Sequence, residues 1–421
     1  MTYTQNNISL TEEGRLQIAV FEDSVGMPAP NATVRVSLHS ENGNAGDAEI
    51  LDELVTDASG QTLEVVLPAP PVENSLAPDG PTPFASYDLA VTLPEHPSFY
   101  VRGVQIFPNT LAYQNAFLQP GEGESQVINI DPPSLYANFP PKTPEEEIKP
   151  LPPNMGHVVL PDPVVPEYII VHDGAPSNSS APNYWIPFKD YIKNVACCEI
   201  YSTWPSATIR ANVLAILSFT LNRVYTEWYR SKGYDFTITS STAYDHAFSY
   251  GRNFFQEISI IVDEIFTTFI TRPGIRQPLL AQYCDGQRTQ CPNWMTQWGS
   301  KRLGDQGYDT VSILRHYYGG DIFLMQANKV SGVPSSFPGT NLQVGSTGHN
   351  VRIIQEQLNA ISNNFPAINK IRVDGLFGEQ TRTAVETFQS VFKIPMTGIV
   401  NFSTWYRISN IYVAVTRMAE L

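Results

Sequence analysis

Lys189–Trp228, KDYIKNVACCEIYSTWPSATIRANVLAILSFTLNRVYTEW, reads as two helices joined by a tight corner with Glu199 at the joint. In the first helix Ile192, Val195 and Ala196 recur at i, i+3 and i+4, and Glu199 falls at i+7 on the same apolar stripe. A carboxylate on the buried face of a helix end loses hydration, which raises its pKa and keeps it protonated near neutral pH. A general acid needs that property. The spacing alone also allows Glu199 to be a solvated residue at a fraying helix end. Ser202 or Thr203 is placed to cap the second helix, with Pro205 in its first turn. Ile209, Val213, Ile216, Leu217, Leu221, Val224 and Trp228 give that helix one apolar face.

The 421 residues have room for roughly two to four domains. No stretch approaches the apolar length of a membrane span, about 20 residues, so no membrane partner is expected. The N-terminal MTYTQNNISLTEEGR lacks a basic region followed by an apolar one, so no classical signal peptide is read there. The net charge of −15 is uneven: residues 1–158 hold 5 basic and 21 acidic side chains, whereas residues 159–421 hold 21 and 20. Neither part has the basic footprint of a nucleic-acid binder. The acidity fits either plain solubility or a detachable segment. Of the four cysteines, Cys197 and Cys198 read as small core residues. Cys284 and Cys291 are placed either to form a disulfide or to share a metal with His246.

Outward from the central stretch, residues 1–131 read as an antiparallel β-sandwich. GRLQIAVF, ATVRVSLH, QTLEVVLP, SYDLAVTLP, YVRGVQIFP and SQVINI are short apolar or alternating runs separated by breakers such as DASG and APDGPTP. Gly14 to Val36 loosely resembles the opening of transthyretin-like modules. Residues 132–166 are proline-rich, hence extended, exposed and open to a protease. Residues 167–325 read as a central α+β, helix-rich domain with a strand at Glu167–Val171 and a long amphipathic helix from about Phe254 to Ile270. Residues 326–341 form a second linker. Residues 342–421 read as a three-helix domain whose Val351…Gln355 pattern repeats 34 residues later as Val385…Gln389. Asp374-Gly375 turns the chain before Phe377, and Glu379 to Thr381 starts its second helix.

Three blocks of the middle region, YIKNVACCEIYSTWPSATIRANVLAILSFTLNR, STAYDHAFSYGR and MTQWGSKRLGDQGYDTVSILRHYYGG, carry a family resemblance. The region resembles the glycan-cleaving domain of the stage II sporulation protein D family, including spore cortex-lytic enzymes of the SleC type. Asp245-His246 and Cys291 depart from residues that hold a metal in some relatives, so no metal and no cofactor is expected. LQVGSTGHNVRIIQEQLN, IRVDGLFGEQTRTAVETFQ and IPMTGIVNFSTWYRI resemble the peptidoglycan-binding domain of many wall hydrolases. The resemblance implies that Asp374, Gly375, Phe377 and Thr381 belong to its wall-binding motif.

Together these resemblances imply a lytic transglycosylase of spore cortex peptidoglycan, with Glu199 as the single acid/base. Asp245, His246, Tyr250, Gln297 and Trp298 would hold sugar hydroxyls or stack on ring faces. Asp245 could instead be a second carboxylate, in which case the reaction would be hydrolytic. The other alternative is a non-catalytic wall-binding spore protein. The resemblance further implies a proenzyme in the cortex or coat region of a bacterial spore. A subtilisin-like protease would activate it by cutting in about residues 157–166.

Overall fold

The computed structural model describes residues 3–5, 8–40, 50–136, 139–150 and 162–416. Strands β1 (Tyr3–Gln5) and β2 (Ile8–Leu10) form a hairpin. They precede β3 (Glu12–Glu22), β4 (Thr33–Leu38), β5 (Ile50–Val55), β6 (Val65–Ala69), β7 (Ala85–Thr92), β8 (Phe99–Ile106), β9 (Leu111–Leu118) and β10 (Gln126–Asn129). One sheet has the order β10-β8-β7-β4-β5, and β9-β3-β6 form most of the other. Alternate residues such as Leu16, Ile18, Val34, Val36, Leu89 and Val91 fill the space between them. The sandwich is not wholly antiparallel, because β10 runs parallel to β8 and β3 parallel to β9. Strand β9 is absent from the sequence reading because Gln114 and Asn115 interrupt its apolar run. Gln114 is nevertheless buried, and its Nε2 donates to the Gly251 carbonyl at 2.9 Å.

The middle unit contains β11 (Val164–Val165), β12 (Tyr168–His172), β13 (Asn183–Pro187), α1 (Phe188–Glu199) and α2 (Ser206–Tyr225). It continues with β14 (Ile238–Thr239), β15 (Phe254–Phe255), α3 (Gln256–Ile265), β16 (Thr268–Thr271), β17 (Tyr283–Cys284) and β18 (Met295–Thr296). Then come α4 (Gln297–Asp305), α5 (Thr310–Tyr318), β19 (Phe323–Gln326) and β20 (Lys329–Val330). The α1–α2 corner stands as expected, but Pro205 occupies the position before α2 and no side chain caps that helix. The single helix expected to Ile270 ends at Ile265, and the chain turns back into β16, which pairs with β19.

Helix α1 is buried on nearly all sides rather than along one stripe, because α2, α3, β12, β13 and β15 pack around it. Strand β15 completes the second sheet by pairing antiparallel with β9. Trp204 Nε1, in the α1–α2 corner, donates to the Ser75 carbonyl at 3.0 Å. Arg252 Nη1 donates to the Cys197 carbonyl at 2.7 Å, and Asn253 Nδ2 to the Gln105 carbonyl at 2.9 Å. One hydrophobic core therefore runs through both units. The sandwich is knitted to the corner that carries Glu199.

The third unit comprises α6 (His349–Ile361), α7 (Glu379–Val391) and α8 (Phe402–Thr416). Two buried amides explain its 34-residue echo. Gln355 Oε1 accepts from the backbone N–H of Asp374 and Gly375, while its Nε2 donates to Asp374, Leu376 and Thr381. Gln389 repeats the pattern on the next turn, with Thr397, Gly398, Ile399 and Thr404. Gly375 and Gly398 hold φ of 75° and 66°, the left-handed conformation that a side chain at those turns would strain. Each glutamine thus ties one helix to one turn. Replacing either by Ala should leave two backbone donors unpaired and destabilise this unit by about 2 kcal/mol. Urea unfolding followed by tryptophan fluorescence would read this as a lower midpoint, with the same direction for Gln355→Ala and Gln389→Ala.

Candidate active site

Glu199 is the last residue of α1, and only 3% of it reaches solvent. Its Oε1 accepts the Ala247 backbone N–H at 2.7 Å, and its Oε2 accepts the Tyr283 hydroxyl. Burial raises its pKa above the ordinary carboxylate range, while Lys142, Tyr283 and the Ala247 amide offset part of that rise. Tyr283 sits beside Cys284, which is disulfide-bonded to Cys291 across a Cα–Cα distance of 6.1 Å. That bond resolves the choice left open by the sequence. Among the described residues there is no cluster of His, Cys, Asp and Glu suited to a metal.

The structure brings Glu199, Asp245 and Gln297 to the walls of one small cavity of about 60 Å³, together with Tyr283, Cys284, Asp285 and Lys142. Gln297 is held by its Nε2, which donates to the Glu199 carbonyl at 3.0 Å. The expected substrate contacts differ in what already holds them. Asp245 is fully buried, with its carboxylate receiving Arg223 Nε at 2.7 Å, the Tyr229 hydroxyl at 2.7 Å and both the amide and hydroxyl of Thr239. A carboxylate so occupied is a poor candidate for a second catalytic base, and its sugar-binding role is not supported by this geometry. His246 is also buried; its Nδ1 pairs with the Tyr191 hydroxyl at 2.9 Å, and its ring stacks on Tyr283. Burial and the nearby Lys142 and Arg223 charges push its pKa well below the ordinary histidine value, so the ring is neutral.

Trp298 packs into the core against Trp204 and Tyr201, with centroids 5.0 and 6.0 Å away. It is not among the residues that line the cavity. Tyr250 stacks on Tyr184 at 4.3 Å in a separate, larger cleft of about 790 Å³ between the sandwich, the middle unit and α8. In the third unit, Phe377 and Thr381 are buried, and Asp374-Gly375 form the turn held by Gln355. Gly375, Phe377 and Thr381 therefore shape the unit, while Asp374 stays partly exposed at the turn.

Several site residues have no signal in the sequence. Tyr283 lies in a loop-rich stretch, and nothing in its spacing points to Glu199. Arg223 lies on α2 but not among the apolar residues of its expected face, and it bridges two carboxylates, Asp245 and Glu145, the latter at 2.6 Å. Lys142 comes from the proline-rich segment that was expected to be exposed. That segment has no helix or strand within residues 139–150, as the prolines require, yet Lys142 and Lys149 are buried. Glycines in the third sequence block are explained by close packing. A Cβ on Gly299 would collide with the Tyr317 hydroxyl and Thr296 Oγ1, and one on Gly304 with Thr208 Oγ1.

Comparison with known proteins gives the class of one part of the chain. Residues 347–408 match the family described as "Putative peptidoglycan binding domain", so the third unit carries a peptidoglycan-binding module. The chain is similar over 18% of its length to the N-terminal domain of SleB, at 26% identity, covering 99% of that chain with a TM-score of 0.16. It also aligns with an Acinetobacter radioresistens catechol 1,2-dioxygenase at 15% identity, over 28% of this chain and 57% of that one, with a TM-score of 0.17. The minor pilin GBS52 of Streptococcus agalactiae gives 15% identity over 27% and 48% of the two chains, with a TM-score of 0.17. No curated protein matches the chain. Among the described residues no helix is long and apolar enough to cross a membrane.

The buried Arg223 cluster makes a stability prediction independent of activity. Asp245→Asn would remove one of the two charges that neutralise Arg223, at a cost of about 3 kcal/mol. Urea denaturation should show an early transition of the middle unit, and an unchanged midpoint would contradict this assignment.

Proposed function

We propose that the chain cleaves the glycan strands of peptidoglycan, with Glu199 as a lone acid/base. The observation that carries this reading is the seat of Glu199: a buried carboxylate, with both oxygens hydrogen-bonded and its pKa raised, on the wall of a cavity. The peptidoglycan-binding match at residues 347–408 supplies the polymer. The stage II sporulation protein D-like sequence blocks supply the reaction class.

In this mechanism the protonated Glu199 gives its proton to the oxygen bridging MurNAc and GlcNAc, and the bond from that oxygen to the muramic C1 breaks. The carboxylate then takes the proton of the muramic 6-hydroxyl, whose oxygen attacks C1 and closes a 1,6-anhydro ring. No water is consumed, so one group performs both proton transfers. Asp245, clamped by Arg223, Tyr229 and Thr239, favours this single-carboxylate route over hydrolysis by two. We place the protein in the cortex or coat region of a spore, as a proenzyme cut by a subtilisin-like protease. The expected cut in residues 157–166 falls partly outside the described residues, which omit 151–161.

Glu199→Gln, made in the activated protein, should abolish release of soluble muropeptides from cortex fragments while leaving sedimentation with peptidoglycan intact. Persistent lysis would remove Glu199 from the mechanism. Tyr283→Phe tests the electrostatics. The hydroxyl donates to the carboxylate and lowers its pKa, so its loss should raise that pKa further. Activity that needs protonated Glu199 falls as pH rises through this pKa, so the alkaline limb of the pH–rate profile should move to higher pH. A shift to lower pH would contradict the hydrogen-bond assignment.

A further inference from the structure

The proline-rich segment is not a passive tether. Phe139, Pro140 and Lys142 line the same cavity as Glu199. Only 9% of Lys142 is exposed, and its ammonium donates to the Asp245 carbonyl and lies 4.6 Å from the centre of the Phe219 ring and 4.7 Å from that of Tyr283. A cation caged by two aromatic faces, a carbonyl and a neighbouring carboxylate is strongly held. The space left beside Glu199, about 60 Å³, is far below the roughly 300–1,000 Å³ of an ordinary ligand site. No sugar ring fits while Lys142 is there.

The rest of the segment is fastened along the middle unit. Thr143 N–H donates to the Ala243 carbonyl at 2.7 Å, and Gln282 Nε2 to the Thr143 carbonyl at 2.9 Å. Glu145 N–H donates to Gln282 Oε1 at 3.0 Å, and the Glu145 carboxylate pairs with Arg223. Leu280 N–H donates to the Glu147 carbonyl at 2.9 Å, and Arg272 pairs with the Glu147 carboxylate at 2.7 Å. Gln277 makes two hydrogen bonds to the backbone of Lys149, one through each polar atom of its amide. None of these contacts depends on the peptide continuing past Pro150.

From this geometry we infer that residues 139–149 are a strap that fills the Glu199 site with the Lys142 side chain, and that the strap stays seated when the chain is cut beyond residue 150. The inference deepens the proposed glycan-cleaving function and rests on it for its activity readout. It moves the inhibitory element from the sandwich to an eleven-residue segment. It also makes dissociation of the N-terminal part, rather than the cut, the activating event. The positive charge of Lys142 stands where the reaction would develop charge at the sugar carbon, so the strap competes with substrate at its reacting centre.

The test uses the full chain. Lys142→Glu places a carboxylate beside Glu199 and the Asp245 carboxylate and should unseat this end of the strap. Uncut Lys142→Glu protein should release muropeptides at least tenfold faster than uncut wild type, and a synthetic peptide of residues 139–150, FPPKTPEEEIKP, should suppress that gain. Lys142→Met keeps the bulk and removes the charge, and should give a smaller gain. Equal rates for uncut wild type and Lys142→Glu, with both folded by circular dichroism, would overturn the strap.

Two readouts separate this from failure of the enzymatic reading. Hydrogen-exchange mass spectrometry of wild type nicked between residues 150 and 162 should show the Thr143 and Glu145 amides still protected. Rapid exchange there after nicking would overturn the claim of continued seating. Calorimetry with a GlcNAc–MurNAc tetrasaccharide should show one more binding event for Lys142→Glu than for uncut wild type, since both keep the peptidoglycan-binding unit. That contrast supports the strap even if no form of the protein cleaves, whereas equal binding by both would contradict it.

Discussion

Arg223 is the constraint on which the site depends. It is buried on α2 and holds two carboxylates from distant parts of the sequence, Asp245 and Glu145. An unpaired guanidinium in that position would be strongly destabilising, so both carboxylates are drawn to it. Holding Asp245 fixes the segment that follows, and two residues later the Ala247 N–H reaches Glu199. Holding Glu145 fixes the segment that precedes it, and three residues earlier Lys142 enters the Glu199 cavity. One cation therefore positions both the group that orients the acid and the group that covers it.

The surrounding charges make the site asymmetric. Burial pushes the Glu199 pKa up, and burial also lowers that of Lys142 to about 8, with Glu199 and Asp245 opposing the fall. Each group is strained toward neutrality by the loss of water and held toward charge by the other. Removing the Lys142 ammonium takes away the strongest influence that keeps Glu199 ionised, so unseating the strap favours the protonated acid that the proposed chemistry needs. Opening the cavity and preparing the acid are then one event. The sandwich supports this arrangement through β9–β15 pairing and the Trp204–Ser75 contact, which brace the α1–α2 corner from the other side.

The parts legible in the sequence are those governed by local spacing. The α1–α2 pair, most of the sandwich strands and the third-unit helices follow from apolar periodicity, and Glu199 stands out because it falls on an apolar stripe. Periodicity failed where tertiary contacts supply what the sequence lacks locally. Strand β9 accommodates Gln114 because its Nε2 donates to the Asn115 and Gly251 carbonyls. Helix α3 stops at Ile265 because the apolar residues beyond it pair as a strand with β19. Asp245 and His246 were polar residues beside a candidate catalytic block, but the partners that bury them, Arg223, Tyr229 and Tyr191, are brought by other elements. Lys142 carries no local signal of its seat. Proline density correctly excludes helix and central strand, but an extended segment can lie in a groove as readily as in water, and only the groove decides.

The central claim is that a single buried carboxylate cuts the glycan without using water. Mass spectrometry of muropeptides released from cortex peptidoglycan by the activated protein tests it most directly. The account predicts products ending in 1,6-anhydro-muramic acid, each lighter by one water than the corresponding reducing-end fragment. Products with ordinary reducing ends would contradict it and require a second group to activate water at this site.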